Sequence, residues 1–110
     1  RQILEHLYQS FNKRMATEAL AVVHPEVSWA NGMEGGLLYG PEQVRAYWER
    51  QWSYIDWHVK FSNAFITDEG LAIVDLHQII RDLSGNIISI KDIQHVIQFE
   101  GGLILSMRIR

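Results

Sequence analysis

Two stretches in the first half of the chain space their hydrophobic residues three and four positions apart, which places these residues on one face of a helix. The first stretch contains Ile3, Leu4, Leu7, Tyr8 and Phe11. The second stretch contains Val44, Tyr47, Trp48, Gln51, Trp52 and Ile55. It follows Gly40-Pro41-Glu42, where proline suits the first helical turn because its missing N–H has no partner to lose there. We therefore predict an amphipathic helix over each stretch.

A shorter helix is predicted between these two. Thr17 followed by Glu18 supplies an N-cap and an acidic residue for a first turn. The helix should include Val22 and Val23 and end before His24-Pro25, because proline disfavours the helical conformation in the residue that precedes it.

From Val27 onward the hydrophobic period changes to two, which is typical of strands. Val27, Trp29 and Asn31 share one face of the first predicted strand, and the glycines of segment 33–36 then predict a loop. After Asp56, four further strands are predicted over residues 57–66, 71–82, 87–99 and 103–110. The gaps between them predict hairpins at Asp68-Glu69-Gly70, Ser84-Gly85-Asn86 and Gly101-Gly102.

Helices in the first half and consecutive hairpins in the second half predict an α+β fold, in which a curved, mostly antiparallel sheet is covered by helices on one face. The chain has 110 residues and contains neither repeats nor linker-like runs. We therefore expect residues 1–110 to form one domain with one core.

Composition narrows the classes of function. The net charge is −3 and the basic residues are scattered, so nucleic acid is not an expected partner. No apolar run reaches the ~18 residues of a membrane span and no secretory leader opens the chain, so we expect a soluble, cytoplasmic protein. There are no cysteines, no paired-histidine metal motif, no phosphate-binding glycine loop and no nucleophile elbow. No metal or other cofactor is expected.

Six fragments, in this order, resemble the SnoaL-like, ketosteroid-isomerase-like branch of the nuclear transport factor 2-like superfamily. They are Phe11-Asn12-Lys13-Arg14, His24-Pro25-Glu26-Val27 with Trp29 and Asn31-Gly32, Gly40 before Val44-Arg45-Ala46-Tyr47-Trp48, His77-Gln78 with Arg81-Asp82-Leu83-Ser84-Gly85, His95-Val96-Ile97-Gln98-Phe99, and Gly102-Leu103-Ile104. The resemblance covers essentially the whole chain. It implies a cone in which about three helices roof the concave face of the sheet and enclose a pocket for a small, largely apolar molecule.

The resemblance also implies which groups of a ketosteroid isomerase this chain lacks. The base position falls on Asn31, the tyrosine position on Leu7 and the carboxyl position on His95. An amide cannot take a proton at neutral pH, so steroid isomerisation is disfavoured. Asn31 could still donate a hydrogen bond to a ligand oxygen.

His95 is the first catalytic candidate. On its strand it shares a face with Ile93, Ile97 and Phe99, so its imidazole should point into the cone, where it has the right intrinsic pKa to pass protons near pH 7. The alternative is that His95 only hydrogen-bonds a neighbour inside the core. On the preceding strand, Gln78 should be a second polar residue of the cone wall.

Other candidates rest on weaker patterns. Asp56 and His58 share a strand face and could form an acid–base pair, or could simply mark an exposed strand entry. The ligand contacts predicted from aromatic residues are Trp29 and Trp48, with Trp52 in the same aromatic stripe and Tyr8 reaching inward from the first helix; such stripes are also typical of plain core packing.

Two functions of different classes follow. The first is a cofactor-independent cyclase, isomerase or dehydratase in which His95 moves a proton while Asn31 and Gln78 polarise an oxygen. The second is a non-catalytic ligand-binding or dimerisation module. In either case we expect a homodimer through the outer sheet face that carries Ile79 and Val96.

Overall fold

The computed structural model describes residues 2–110 and consists of three helices and six strands. The helices are α1 (Gln2–Asn12), α2 (Ala16–Leu20) and α3 (Pro41–Trp52). The strands are β1 (Val23–Ala30), β2 (Leu37–Tyr39), β3 (Ile55–Ile66), β4 (Ala72–Asp82), β5 (Ile87–Glu100) and β6 (Leu103–Ile109). The helices pack on one curved, mostly antiparallel sheet, so the predicted α+β cone is confirmed.

The sheet has the strand order β2-β1-β6-β5-β4-β3. Strands β3 to β6 form the predicted meander of antiparallel hairpins, while β1 joins β6 in parallel. Within this sheet β3 is an edge strand, and β5 lies between β4 and β6. The interior side of β5 therefore faces the middle of the space under the helices.

The core lies between the helices and one sheet face. Its fully buried side chains come from α1, α3 and the strands and include Leu7, Val44, Tyr47, Trp48, Leu76, Ile97, Ile104 and Met107. The hydrophobic positions that predicted α1 and α3 supply this packing, so the amphipathic pattern identified the buried face of each helix correctly.

The second helix is shorter than predicted. It ends at Leu20, and Val23 with His24-Pro25 already belongs to β1. The main chain there pairs with β6 instead, since the Ile104 amide donates to the Val22 carbonyl at 2.9 Å. Pro25 has no N–H to give to a sheet, and the register of β1 against β6 shifts between Val23 and Ser28.

Two further boundaries differ from the sequence-based expectation. Residues Leu37–Tyr39 form the short strand β2, which pairs with the end of β1 and was missed because three residues carry no readable alternation. Ile55, assigned to the α3 stripe by its spacing, is instead the first residue of β3. The helix ends at Trp52, and the Ser53 hydroxyl donates to the Arg50 carbonyl at 2.6 Å.

The end of α1 is attached to the edge strand by side chains. The Asn12 amide donates to the Val59 carbonyl at 2.7 Å and accepts from the Val59 amide at 2.9 Å. Arg14 donates to the Trp57 carbonyl at 2.7 Å. These bonds satisfy main-chain groups that an edge strand would otherwise leave unpaired. They also hold α1 over the concave face, where its inner side chains form part of the site.

Candidate functional site

A cavity of about 210 Å³ lies between α1, α3 and the concave face of the sheet. Most of its wall is aromatic or aliphatic, which suits a small apolar ligand. Besides its aromatic side chains, the wall contains four polar ones that can form hydrogen bonds: Gln78, Ser89, Lys91 and His95. The hydroxyl of Tyr8 is also in the wall. The volume is below the roughly 300–1,000 Å³ of sites for drug-sized molecules. The cavity therefore fits a ligand of one or two rings.

His95 points into this cavity, as its strand face predicted. The residue is only 8% exposed, and its Nδ1 lies 2.9 Å from the hydroxyl oxygen of Tyr8 on α1. The two residues are separated by 87 positions in the sequence. Within residues 2–110 the second ring nitrogen, Nε2, has no hydrogen-bond partner. One nitrogen of the imidazole is therefore positioned by Tyr8, and the other is available to a ligand.

Burial determines the charge of this pair. It lowers the pKa of His95 from 6.5 to about 4, because the apolar surroundings disfavour the imidazolium. Burial likewise raises the pKa of the Tyr8 hydroxyl above its usual value of 10. At pH 7 both groups are therefore neutral. A neutral histidine has one donor and one acceptor nitrogen, so the pair can accept a proton at Nε2 or donate one there, depending on the tautomer.

Gln78 also reaches the cavity, from β4. The Trp57 indole N–H donates to its Oε1 at 3.0 Å, which orients the carboxamide. The Nε2 group of Gln78 forms no hydrogen bond with any residue of the described range 2–110. It can therefore donate to a ligand oxygen. Trp57 was missed in the sequence, although it alternates with Val59 and Phe61 on the inner face of β3.

Three of the four predicted aromatic contacts, Tyr8, Trp29 and Trp48, are in the wall. Trp29 and Trp48 both line the cavity and pack edge to face, with ring centroids 5.7 Å apart and planes at 82°. Trp52 lies outside the wall, in contradiction to its predicted ligand role. It packs against Phe11 at 5.3 Å, and the Arg14 guanidinium lies 5.3 Å from its ring centroid. Trp52 lies one helical turn after Trp48 and contacts its ring, so Trp48 separates Trp52 from the cavity.

Asn31 is buried but is absent from the cavity wall. Its amide donates to Oε1 of Glu34 at 3.2 Å, and its Oδ1 accepts from the Glu34 main-chain amide at 2.8 Å. The predicted bond from Asn31 to a ligand oxygen is therefore not available in this arrangement. Asn31 follows the last residue of β1, so its side chain organises the loop and does not continue the inward alternation of the strand.

The same loop is attached to α3 through Glu34. Its carboxylate accepts from Arg50 at 2.8 Å and from Gln51 at 2.7 Å. These hydrogen bonds, with that from Asn31, lower the pKa of Glu34 to about 2. The carboxylate therefore stays charged and structural, and the loop that borders the cavity is held to the helix.

Asp56 and His58 lie on the opposite face of the sheet. Trp57 and Val59 point inward, so their neighbours on β3 point away from the cavity. Asp56 is paired with Arg14, at 2.6 Å, and not with His58. His58 borders a separate groove between α1 and β3. We therefore do not retain the hypothesis of an acid–base pair formed by these two residues.

Leu7, at the position where the resemblance places a tyrosine, is buried in the cavity wall. The neighbouring Tyr8 supplies the hydroxyl instead. Sequence reasoning also overlooked Lys91, which is exposed yet borders the cavity. Its signal was the alternation of Lys91, Ile93 and His95 along one face of β5.

Other kinds of site are not seen in the part of the chain that is described. Among residues 2–110, no three His, Asp or Glu side chains lie close enough together to hold a metal ion. None of the helices in the same range has the length and apolar character that a membrane-spanning segment requires.

Solved structures of other proteins share this fold. An NTF2-like protein of unknown function from Burkholderia pseudomallei has a TM-score of 0.85 and 22% identity, over 99% of this chain and 87% of that chain. TerC, co-crystallised with polyporic acid, has a TM-score of 0.85 and 17% identity, over 99% and 88%. A putative polyketide cyclase from Sinorhizobium meliloti has a TM-score of 0.84 and 12% identity, over 100% and 94%. At these identities the likeness establishes the fold.

No curated protein matches the chain. The SnoaL-like domain family, in contrast, matches residues 4–107, which is nearly the whole chain and includes every residue of the Tyr8, Gln78 and His95 group. The chain therefore belongs to the SnoaL-like domain family, and its fold is that of the NTF2-like protein described above.

Proposed function

We propose that this protein binds a small, largely apolar molecule in the cavity and transfers a proton at its carbonyl or hydroxyl end, as a cofactor-independent isomerase, cyclase or dehydratase. The observation that carries the proposal is the buried Tyr8–His95 pair at 2.9 Å in an otherwise apolar wall. Two proteins of the same fold support a small-molecule site, one co-crystallised with polyporic acid and one described as a putative polyketide cyclase.

The proposed base is Nε2 of His95. In the tautomer with the proton on Nδ1, the ring donates to the Tyr8 oxygen and Nε2 has a free lone pair. A pKa of about 4 makes this nitrogen a weak base before the ligand binds. A negative charge that develops on the substrate would raise that pKa, because an opposite charge nearby favours the imidazolium. Proton transfer is thus favoured when an enolate forms next to the ring.

Gln78 is proposed to bind the oxygen on which that charge collects. Its Nε2 donates, and its orientation is held by the Trp57 indole. A donor fixed before the reaction stabilises developing charge without a cost of reorganisation. Trp29 and Trp48 are proposed to contact the apolar body of the ligand, where their ring faces and edges supply a large contact area.

The test is exchange of the α-protons of ketones in D₂O, followed by NMR, with cyclic and aryl ketones of one or two rings. The wild type should accelerate exchange, and His95→Gln should lose at least tenfold, since a positioned base contributes about 10²–10⁴-fold. His77→Gln is the matched control, because His77 is an exposed histidine bonded to Asp92 at 2.8 Å on the outer face. Equal exchange in all three proteins would remove His95 from the mechanism.

A non-catalytic binding module is the second candidate, and one observation favours it. Among residues 2–110 no carboxylate lines the cavity, and the pKa of the His95 imidazole, the proposed base, is lowered to about 4. Ligands that shift the indole N–H signals of Trp29 and Trp48 without any proton exchange would support this candidate over the enzyme.

We also propose a homodimer through the outer face of the sheet. On that face Ile79 of β4 is the register partner of Ile90 of β5, and Ile73 is the partner of Val96. Ile90 is 53% exposed, and Phe65, beside Ile73 on β3, is 51% exposed. Large apolar side chains grouped on an open sheet face favour association with a second copy.

A further inference from the structure

We propose that the ligand of this cavity carries a single negative charge and that Lys91 binds it at the mouth. The inference rests on the proposed small-molecule site and adds the class of ligand: a one- or two-ring carboxylate, or an ionised phenol or enol of similar size. It follows from the position of Lys91, from the charges around the cavity and from the distance to His95.

Lys91 lies on the inner face of β5, in the same row as Ile93 and His95. Exposure changes regularly along this row: His95 is buried, Ile93 is half-buried and Lys91 is exposed. The cavity therefore opens towards the Lys91 end of β5 and is closed at the His95 end. The ammonium group therefore lies at the exposed end of the row that leads to His95.

In the described range 2–110, Lys91 is the one Lys or Arg side chain that borders the cavity, and no carboxylate borders it. Within that range its ammonium has no ion-pair partner, whereas Arg14, Arg45 and Arg50 are each paired with an acid. The whole chain has a net charge of −3. An unpaired cation over an apolar cavity in an acidic protein favours an anionic ligand and disfavours a cationic one.

The spacing sets the size of that ligand. Lys91 and His95 are four positions apart, which corresponds to about 13 Å along a strand. An extended lysine side chain can span part of this length, and the remainder fits an aromatic body of one or two rings. Gln78, the register partner of Lys91 on β4, adds a donor on the same wall. A single lysine is a point charge, so a monoanion is better matched than a phosphate or other polyanion, which needs several donors.

The experiment compares three probes of equal shape: 2-naphthoate, 2-naphthamide and 2-(aminomethyl)naphthalene. Each is titrated at pH 7 into the protein labelled with ¹⁵N, and the indole N–H signals of Trp29 and Trp48 report affinity and site together. The wild type should bind the carboxylate about tenfold more tightly than the amide, because a charge-assisted hydrogen bond is stronger than a neutral one. It should bind the amine most weakly. High salt should reduce the carboxylate preference.

Three variants complete the test. Lys91→Gln should lose the tenfold preference for the carboxylate over the amide, and Lys91→Arg should keep it. Lys13→Gln removes the same charge from an exposed turn away from the cavity, so it should behave like the wild type.

The outcomes separate this inference from the proposed function. Equal binding of carboxylate and amide by the wild type, or an unchanged preference in Lys91→Gln, overturns the assignment of an anionic ligand and leaves the small-molecule site in place. If none of the three probes shifts the Trp29 and Trp48 signals, the small-molecule site and the anionic ligand are both rejected.

Discussion

The buried imidazole of His95 makes the stability of the protein depend on pH. In the unfolded chain a histidine titrates near 6.5, whereas burial lowers the pKa of His95 in the folded protein to about 4. Above pH 6.5 the imidazole is neutral in both states and contributes no pH dependence. Between pH 6.5 and 4 only the unfolded state gains this proton, so the folded state loses stability as the pH falls.

The expected size of this loss is on the order of 3 kcal/mol by pH 4, at 1.36 kcal/mol per pKa unit. We predict that the free energy of unfolding of the wild type falls more steeply from pH 7 to pH 4.5 than that of His95→Gln. Urea unfolding at several pH values measures both. The two proteins differ only at position 95, so the difference between the curves reports His95. Parallel curves would contradict a lowered pKa at this position.

Gly32 is a second residue whose environment sets the shape of the cavity. A Cβ at this position would lie 2.6 Å from Cδ1 of Ile109, and both residues border the cavity. Gly32→Ala should therefore displace the end of the Ile109 side chain, which is 44% exposed, and should destabilise the fold by no more than about 1 kcal/mol, the low end of overpacking costs. The affinity for 2-naphthoate should fall in parallel.

Ile109→Val removes the colliding atom and provides the control. The double variant should recover most of the stability and affinity lost in Gly32→Ala, which thermal unfolding and the NMR titration would show. Strictly additive effects of the two substitutions would mean that the contact is not the cause.

At the scale of elements, the link from α1 to β3 depends on Arg14. Its main chain has φ 61°, the left-handed conformation that follows many helices, and its side chain binds the Trp57 carbonyl and Asp56. The Met15 amide donates to the Ser10 carbonyl at 2.9 Å, which is the long hydrogen bond of a Schellman motif. Arginine thus occupies a position that glycine would favour, and its side-chain contacts offset the cost of the conformation.

This arrangement predicts an ordered pair of variants. Arg14→Ala loses the side-chain hydrogen bonds and keeps the cost of the left-handed conformation. Arg14→Gly loses the same hydrogen bonds, but glycine adopts this conformation without that cost. Both variants should be less stable than the wild type. The free energy of unfolding of Arg14→Gly should be about 1 kcal/mol higher than that of Arg14→Ala. Chemical denaturation of the three proteins measures the order. An alanine variant as stable as the glycine variant would show that the left-handed conformation is not retained.

At the scale of the whole molecule, the outer sheet face determines the expected oligomeric state. A lysine in place of Ile90 would put a charge opposite Ile79 and require its desolvation in an interface. We predict a dimer for the wild type at micromolar concentration and a monomer for Ile90→Lys, measured by size-exclusion chromatography with light scattering. Leu83→Lys makes the same chemical change in the exposed β4–β5 turn and should remain dimeric. A monomeric wild type would refute the dimer.

The sequence alone determined the periodic features of the fold. The intervals of three and four residues identified α1 and α3, the alternation of two identified the meander, and the glycine-containing turns marked the hairpins between its strands. The same alternation put His95 and Gln78 on the inner face, because successive strand residues point to opposite sides. These features are local, so each is encoded within a few neighbouring residues.

Only the tertiary structure decided which side chains meet. It brought Tyr8 to His95 across 87 positions, paired Asp56 with Arg14, and turned Asn31 towards Glu34 and away from the cavity. It also placed Val23 in β1 and not in α2, because pairing with β6 outweighed the local helical tendency. Such contacts depend on the orientation in which the helices pack on the sheet. That orientation is set by packing between segments that are distant in the sequence, so no local pattern predicts it.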